Sequence, residues 1–252
     1  MSKIVHKHSD VEYRLFAICR CGHHAIIDWI SDMHSGEVFF RNCPRANVLP
    51  PNSCSFRRPT DSPNREAYIF NLEDRFPEVA VKMIKDNKFQ IYAGPSDKVY
   101  NIIVMRDPYN LYASRKFHVE LGPRMKRKKP KTDFMELWIV YAEEVLRTTQ
   151  HIDNPVFISF NEWFSDRKYR DNIAQSFGLK NNESIQHVAH SGGGSTFDKK
   201  EYEGEAQKMK VLERYKTVLD DPYFKDMINN ERVKELSLKL FPSITKSILM
   251  RL

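Results

Sequence analysis

Residues 15–30, LFAICRCGHHAIIDWI, join an apolar run to an amphipathic helix pattern through a short polar turn. After the turn, apolar residues recur at helical spacing, namely Ala25, Ile26, Trp29, Ile30 and Met33. A buried strand that turns directly into a helix points backbone N–H groups and the positive end of the helix dipole at one spot, which favours an anion such as phosphate. Gly22 permits close approach of a ligand, and Arg20 adds a cation. The segment predicts an anion-binding turn, and a glycine turn that serves only packing is the alternative.

A second strand-to-helix junction follows the apolar run NIIVM, residues 101–105. Arg106, Asp107 and Pro108 come next, and a helical pattern begins at Tyr109. Asp107 is placed to cap the helix and Pro108 suits its first position. Ser114 lies about two helical turns beyond Arg106, too far along for capping. We expect Ser114 to reach a ligand only if the helix start curls around it.

These two junctions carry a family resemblance. RCGHHAIIDWI resembles the 5′-phosphosulfate loop of sulfotransferases, and MRDPYNLYASR resembles their 3′-phosphate motif. The run VFISF with the following NEW and the later FGL are similar to the family's next strand and its ending, and SGGGSTF is similar to its late glycine-rich loop. In family order, the four motifs span residues 15–197. The chain departs from the family at Cys21, where Ser or Gly is usual, and at His23 and His24, which replace two hydroxyl residues.

The resemblance implies a sulfotransferase that moves a sulfuryl group from 3′-phosphoadenosine 5′-phosphosulfate (PAPS) to an acceptor hydroxyl or amine. It places the 5′-phosphosulfate on the first turn, at Arg20, Cys21, Gly22, His23, His24 and Ala25. It places the 3′-phosphate on Arg106 and Ser114, with further backbone donors from Gly192, Gly193, Gly194 and Ser195. Arg20 would stabilise the negative charge that develops on the leaving 5′-phosphate. PAPS is the expected co-substrate, and no metal is expected.

The acceptor must also lose a proton, so a general base is expected. Glu73, just after the strand pattern AYIFN, is the first candidate, and pairing of Glu73 with Arg75 is the structural alternative. The family places its base in this region or soon after the first helix, which makes Glu37 the second candidate. His118 is the third. The acceptor itself, a glycan, small alcohol, lipid or peptide tyrosine, is left open by the sequence, as is the oligomeric state.

Strand and helix patterns alternate along the chain. The predicted strands are Arg14–Cys19, Val38–Arg41, Ala67–Asn71, Val79–Lys82, Asn101–Met105 and Val156–Ser159. The predicted helices are His23–Met33, Tyr109–Phe117, Asp133–Thr149, Asp166–Phe177, Glu205–Leu219 and Asn230–Leu240. This alternation predicts one α/β domain over residues 1–252, a central parallel sheet with helices on both faces, like the sulfotransferase architecture. Ligands of such sheets bind beyond the carboxyl ends of the strands, where both junctions fall.

Composition restricts the class of protein. The chain has 252 residues and a formal charge of +7, and no apolar run approaches the roughly 20 residues of a membrane helix. Four cysteines and the absence of a secretory signal pattern predict a cytoplasmic protein. The basic run RMKRKKPK, residues 124–131, suits an acidic substrate, a membrane surface or nucleic acid, or is simply a solvated loop. Nothing in the sequence indicates specific nucleic-acid recognition.

Three other functions compete with sulfuryl transfer. A P-loop kinase needs Gly-x-x-x-x-Gly-Lys-Ser/Thr, a spacing that the sequence lacks. A zinc site from Cys19, Cys21, His23 and His24 has poor ligand spacing. A non-catalytic nucleotide- or polyanion-binding protein on the same fold stays open, because fold does not fix function.

Overall fold

A computed structural model describes residues 7–42, 54–86, 94–121, 133–182, 197–198 and 201–251. Within these ranges, six strands form one sheet in the order β3-β2-β4-β1-β5-β6. The strands are β1 (His8–Ala17), β2 (Val38–Asn42), β3 (Cys54–Arg57), β4 (Asn64–Glu73), β5 (Ser96–Met105) and β6 (Val156–Ser159). Five of them run parallel, and β3 pairs antiparallel with β2 at one edge. The α/β class with a central parallel sheet is confirmed.

The central strand β1 is buried on both faces. Leu15, Phe16 and Ala17 are consecutive and all lie in the core, although successive side chains of a strand point to opposite faces. Helices therefore cover both sides of the sheet, as is usual for parallel strands.

The helices before the last strand are α1 (His23–Met33), α2 (Pro77–Ile84), α3 (Pro108–Leu121) and α4 (Phe134–Val145). After β6 come α5 (Phe160–Ser165), α6 (Arg167–Ser176), two 3-10 segments (Ala206–Lys208 and Val211–Thr217), α7 (Pro222–Asn229), α8 (Glu231–Leu240) and α9 (Pro242–Leu249). The expected bounds of α1 are confirmed. No helix in the described part of the chain is long and apolar enough to cross a membrane.

The expected strand Val79–Lys82 is wrong, because these residues lie inside α2. The short apolar run is compatible with the residue spacing of a strand or of a helix, and two features favour the helix. Pro77 occupies the first helical turn, and Ala80 and Ile84 are buried one turn apart on the same face.

The expected helix Glu205–Leu219 is also wrong, since it is replaced by the two 3-10 segments. In an α-helix the Tyr215 N–H would donate to the Val211 carbonyl. Here the Val211 carbonyl accepts from the Arg106 guanidinium, and the Tyr215 N–H donates to Asn110 Oδ1 at 3.0 Å. Contacts with the second junction therefore take over the groups that a regular helix would pair.

The strand register brings both junctions to one edge of the sheet. Ala17 at the end of β1 lies opposite Glu73 at the end of β4 and opposite Val104 near the end of β5. The turn after β1, the residues after β4 and the turn after β5 therefore meet at the carboxyl edge. The fold thus brings together residues that are 50 to 96 positions apart in the chain.

Candidate functional site

The turn between β1 and α1 is tight and has two residues in the left-handed region. The Cys21 N–H donates to the Ile18 carbonyl at 3.0 Å, Arg20 has φ 73° and Gly22 has φ 97°. A Cβ on residue 22 would lie 2.2 Å from ring carbons of Phe160. Only glycine satisfies both the backbone conformation and this close approach.

Gly22 occupies the cap position of α1, and no side chain in the described part of the chain caps this helix start. The Ala25 N–H already donates to the Gly22 carbonyl at 3.0 Å, so the role of Ala25 as a ligand donor stays a prediction. The N–H groups of Gly22, His23 and His24 precede the first intrahelical bonds of α1. Together with the helix dipole they make this turn suitable for an anion.

Two histidines of α1 contact the carboxylate that ends β4. His23 Nε2 lies 2.8 Å from Glu73 Oε1, and His24 Nε2 lies 3.3 Å from the same oxygen. Asn71 Nδ2 donates to that oxygen as well, at 2.9 Å. Glu73 therefore pairs with the histidines rather than with Arg75, and the two candidate roles, anion turn and base, fall on one cluster.

The pKa values of His23, His24 and Glu73 shift in different directions because of their burial and their contacts with one another. Burial alone would lower the pKa of His23, but the Glu73 carboxylate and a contact with Cys21 raise it to about 10. Burial lowers the pKa of His24, and the charge of His23 lowers it further. Burial would raise the pKa of Glu73, yet the charge and hydrogen bond of His23 hold it well below its usual range. At neutral pH the cluster is thus an imidazolium, a carboxylate and a neutral imidazole.

The same three side chains could hold a metal ion by distance alone. Their ligand atoms all lie within 4.8 Å of one another. The field at this turn opposes a cation, because the N-terminus of α1 is positive and Arg20 is close enough to lower the pKa of His24. Among the described residues a second such group, His8, Asp10 and Asp97, is largely exposed.

The Cys21 side chain points into the packed interior beneath the turn. It is fully buried, and Sγ lies 3.5 Å from His23 Nδ1. The residue contributes to the site by packing under the turn and contacting the imidazole, and a zinc site that uses this thiol has no support in this arrangement.

The second junction holds a buried guanidinium. Arg106 is 1% exposed, and its Nη1 donates to Ser114 Oγ at 3.1 Å. The helix start does not curl to make this contact, since the Arg106 side chain itself extends along α3. Asp107 accepts the Asn110 N–H at 2.9 Å, as its predicted capping role requires.

A second guanidinium, which the sequence did not indicate, converges on the same hydroxyl. Arg214 Nη1 also donates to Ser114 Oγ, at 3.1 Å, while its Nη2 donates to Asp198 at 2.9 Å. Burial and the charge of Arg214 lower the pKa of Arg106 to about 9. Two buried cations around one hydroxyl are an arrangement that suits an anion with more than one charge. No motif surrounds Arg214, so only its position in the fold identifies it.

The remaining predicted site residues are dispersed. Glu37 lies at the amino edge of the sheet, where its carbonyl accepts the Glu66 N–H and its carboxylate accepts from Lys7 Nζ at 2.9 Å. From there β4 runs about 20 Å to Glu73, so the second base candidate is wrong on position. His118 lies in the last part of α3. The glycine-rich residues 192–195 and the basic run 124–131 lie outside the described residues.

Comparisons with known proteins give remote likenesses. No protein-family model and no curated protein sequence matches the chain. Among solved structures, the mouse sulfotransferase SULT7A1 complexed with PAP is 14% identical, with 90% of this chain and 88% of that chain covered and a TM-score of 0.46. The sulfotransferase domain of the Synechococcus PCC 7002 olefin synthase is 13% identical, with coverage of 74% and 79% and a TM-score of 0.41. The sulfotransferase domain of the curacin biosynthetic pathway is 9% identical, with coverage of 69% and 62% and a TM-score of 0.35.

Proposed function

We propose that this protein is a sulfotransferase that transfers a sulfuryl group from PAPS to a hydroxyl or amine. The observation that carries the proposal is the pair of anion sites at one sheet edge, one of which places two buried guanidinium groups on a single serine hydroxyl. A nucleotide with anionic groups on both the 3′ and the 5′ positions of its ribose requires two separate anion sites. PAPS is such a nucleotide.

The 3′-phosphate would occupy the site of Arg106, Ser114 and Arg214. Two guanidiniums match a phosphate dianion, and a dianion would offset the burial and the repulsion from Arg214 that lower the pKa of Arg106. ATP has no 3′-phosphate, so this site favours PAPS over the substrate of a kinase.

The 5′-phosphosulfate would occupy the turn that starts α1. The N–H groups of Gly22, His23 and His24 supply neutral donors there, and Arg20 and the His23 imidazolium supply positive charge. In sulfuryl transfer, negative charge grows on the oxygen that joins sulfur to the leaving 5′-phosphate. Donors that are fixed before the reaction lower the barrier because they need no reorganisation.

The acceptor's proton requires a base at the same edge, and the Glu73, His23 and His24 cluster supplies one. Glu73 is the candidate that the sequence favours and that lies at this edge, whereas Glu37 lies at the amino edge of the sheet. No metal enters this scheme.

Calorimetry with two matched nucleotides tests the donor site. Adenosine 3′,5′-bisphosphate (PAP) and 5′-AMP differ only by the 3′-phosphate, so PAP should bind roughly 10- to 100-fold more tightly, as expected for one charge-assisted site. Arg214→Gln should remove most of this difference and leave 5′-AMP affinity unchanged, and Arg232→Gln on the surface of α8 is the control. Equal affinity of PAP and 5′-AMP for the wild-type protein would contradict the assignment.

Transfer is tested with radiolabelled PAPS and a panel of acceptors, namely a monosaccharide, a phenol, an aliphatic alcohol and a tyrosine peptide. Label on any acceptor, and none when the protein is omitted, supports the enzyme. If the protein binds PAP but neither transfers the label nor hydrolyses PAPS, the result supports a non-catalytic nucleotide-binding protein instead.

A further inference from the structure

Glu73 is poorly suited to accept a proton, although it lies at the right edge of the sheet. Its Oε1 atom already accepts from Asn71 Nδ2 at 2.9 Å and lies 2.8 Å from His23 Nε2 and 3.3 Å from His24 Nε2. These contacts stabilise the charged form of the carboxylate, hold its pKa low and weaken it as a base. His23 is unsuitable as well, because it carries the proton of this cluster.

His24 has the opposite properties. Its Nε2 faces a carboxylate, so Nε2 carries the hydrogen and the lone pair of the neutral ring lies on Nδ1. Nδ1 is buried and has no hydrogen-bond partner among the described residues. A buried acceptor without a partner is unfavourable, and such atoms in folded proteins call for an explanation, of which a role in binding or catalysis is one.

We propose that His24 Nδ1 is the general base that removes the acceptor's proton and that Glu73 is a positioning residue that holds the His24 ring in this tautomer. The inference rests on the proposed sulfuryl transfer and names the base within it. A carboxylate that orients an imidazole, whose other nitrogen takes the proton, is an arrangement that recurs on unrelated folds.

The acceptor O–H gives its proton to His24 Nδ1 as the acceptor oxygen forms a bond to sulfur. The bond between sulfur and the bridging oxygen breaks, and its electron pair leaves with the 5′-phosphate of PAP. The His24 imidazolium is stabilised by the Glu73 carboxylate and returns its proton to solvent after the product leaves. An amine acceptor loses its proton in the same way.

The surroundings of His24 keep it neutral before the step. The charged groups that face the ring are Glu73 at the end of β4, His23 on α1 and Arg20 in the turn, and Phe40 of β2 packs edge-on at 6.1 Å. Burial and the two cations lower the pKa of His24 below its ordinary 6.5, although Glu73 counteracts them. The ring is therefore a proton acceptor at neutral pH, and its side chain is 15% exposed.

Nitrogen NMR of the full chain, labelled at histidine, tests the tautomer without any acceptor. The proposal requires the hydrogen of His24 on Nε2 and titration below pH 6.5. His8 is the reference, because it also pairs with a carboxylate, Asp97, at 2.9 Å but lies at the amino edge of the sheet. A hydrogen on Nδ1 of His24 would overturn the proposal even if the protein failed as a sulfotransferase.

Turnover in His24→Ala tests the role directly. Loss of the base should lower kcat by roughly 100- to 10,000-fold, and added imidazole should restore part of it. PAP affinity should stay close to that of the wild type, because the backbone N–H is retained. The control His8→Gln should keep full activity and show no response to imidazole. A folded His24→Ala protein with normal kcat overturns the proposal and leaves the sulfotransferase function standing.

The pH profile and Glu73→Gln separate the two residues. With His24 as base, kcat/KM falls as pH drops through a pKa below 6.5, whereas with Glu73 as base it would stay flat to well below 4.5. Glu73→Gln retains an oxygen that accepts from His24 Nε2, so it should lose less activity than His24→Ala. A profile that is flat to below pH 4.5, or rescue of Glu73→Ala by formate with none of His24→Ala by imidazole, identifies Glu73 as the base and overturns the proposal.

Discussion

Gly22→Ala should destabilise the protein more than an alanine at any glycine that has only a backbone constraint. Two costs add at position 22. The left-handed backbone at φ 97° costs roughly 1–2 kcal/mol for a residue with a Cβ. The Cβ also lies 2.2 Å from the Phe160 ring, and overpacking of a buried site costs about 1–3 kcal/mol more. The expected loss is about 2–5 kcal/mol, or roughly 4–20 °C in Tm for a chain of this size.

Gly178→Ala is the matched control. Gly178 has φ 76°, and a Cβ there meets no atom of the described residues within 4 Å, so only the backbone cost of roughly 1–2 kcal/mol applies. Both variants and the wild type are compared by thermal and urea unfolding. If Gly22→Ala and Gly178→Ala lose the same stability, the steric reasoning about Phe160 is refuted.

A double-mutant cycle identifies the contact that causes the loss. Phe160→Leu shortens the side chain, so Gly22→Ala should cost less in that background than in the wild type. The Arg106 guanidinium also lies over the Phe160 ring, with its Cζ atom 5.2 Å from the ring centroid. Gly22→Ala should therefore weaken PAP binding as well, although residue 22 is on the other junction.

Two further outcomes are expected. Arg20→Ala should lower turnover by roughly 100-fold or more and PAP affinity by much less, because the charge that it stabilises grows during the reaction; calorimetry and kinetics that show equal losses would contradict this. The pKa of His23 is raised to about 10, so the stability that the His23–Glu73 pair contributes is fully present below the unfolded pKa near 6.5 and is lost as pH rises through 10. Urea midpoints should fall over that range in the wild type and less in His23→Gln, and parallel curves would show that the pair does not titrate as described.

Sequence reasoning located the junctions because their determinants are local. The turn at Gly22 and the capped helix after Arg106 depend on neighbouring residues, and both formed where the patterns indicated. The pairing of Glu73 with two histidines fifty residues earlier depends on strand order, which no local pattern encodes. The sequence therefore indicated which residues belong to the cluster but not which of them contact one another.

Arg214 and the 3-10 segment around it were out of reach for the same reason. The apolar spacing of residues 205–219 favours a helix, and bonds from Arg106 and Asn110 override that preference. Glu37 was misplaced because distance along the chain says nothing about which end of a strand a residue occupies. Position at the amino or carboxyl edge needs the register between β2 and β4.

The strand order also affects synthesis of the chain. The apolar strand β1 pairs with β4 and β5, whose last residue, Met105, is 88 positions after Ala17. At the usual 5–20 residues per second, a ribosome needs roughly 4–18 s to add those residues. β4 ends at Glu73, 56 positions after Ala17, so until then β1 has no sheet neighbour, and its β5 side stays unpaired until Met105 has been added. Its apolar side chains are exposed to solvent during that time. Recombinant yield should therefore respond to a lower growth temperature and to co-expressed chaperones that bind extended apolar segments.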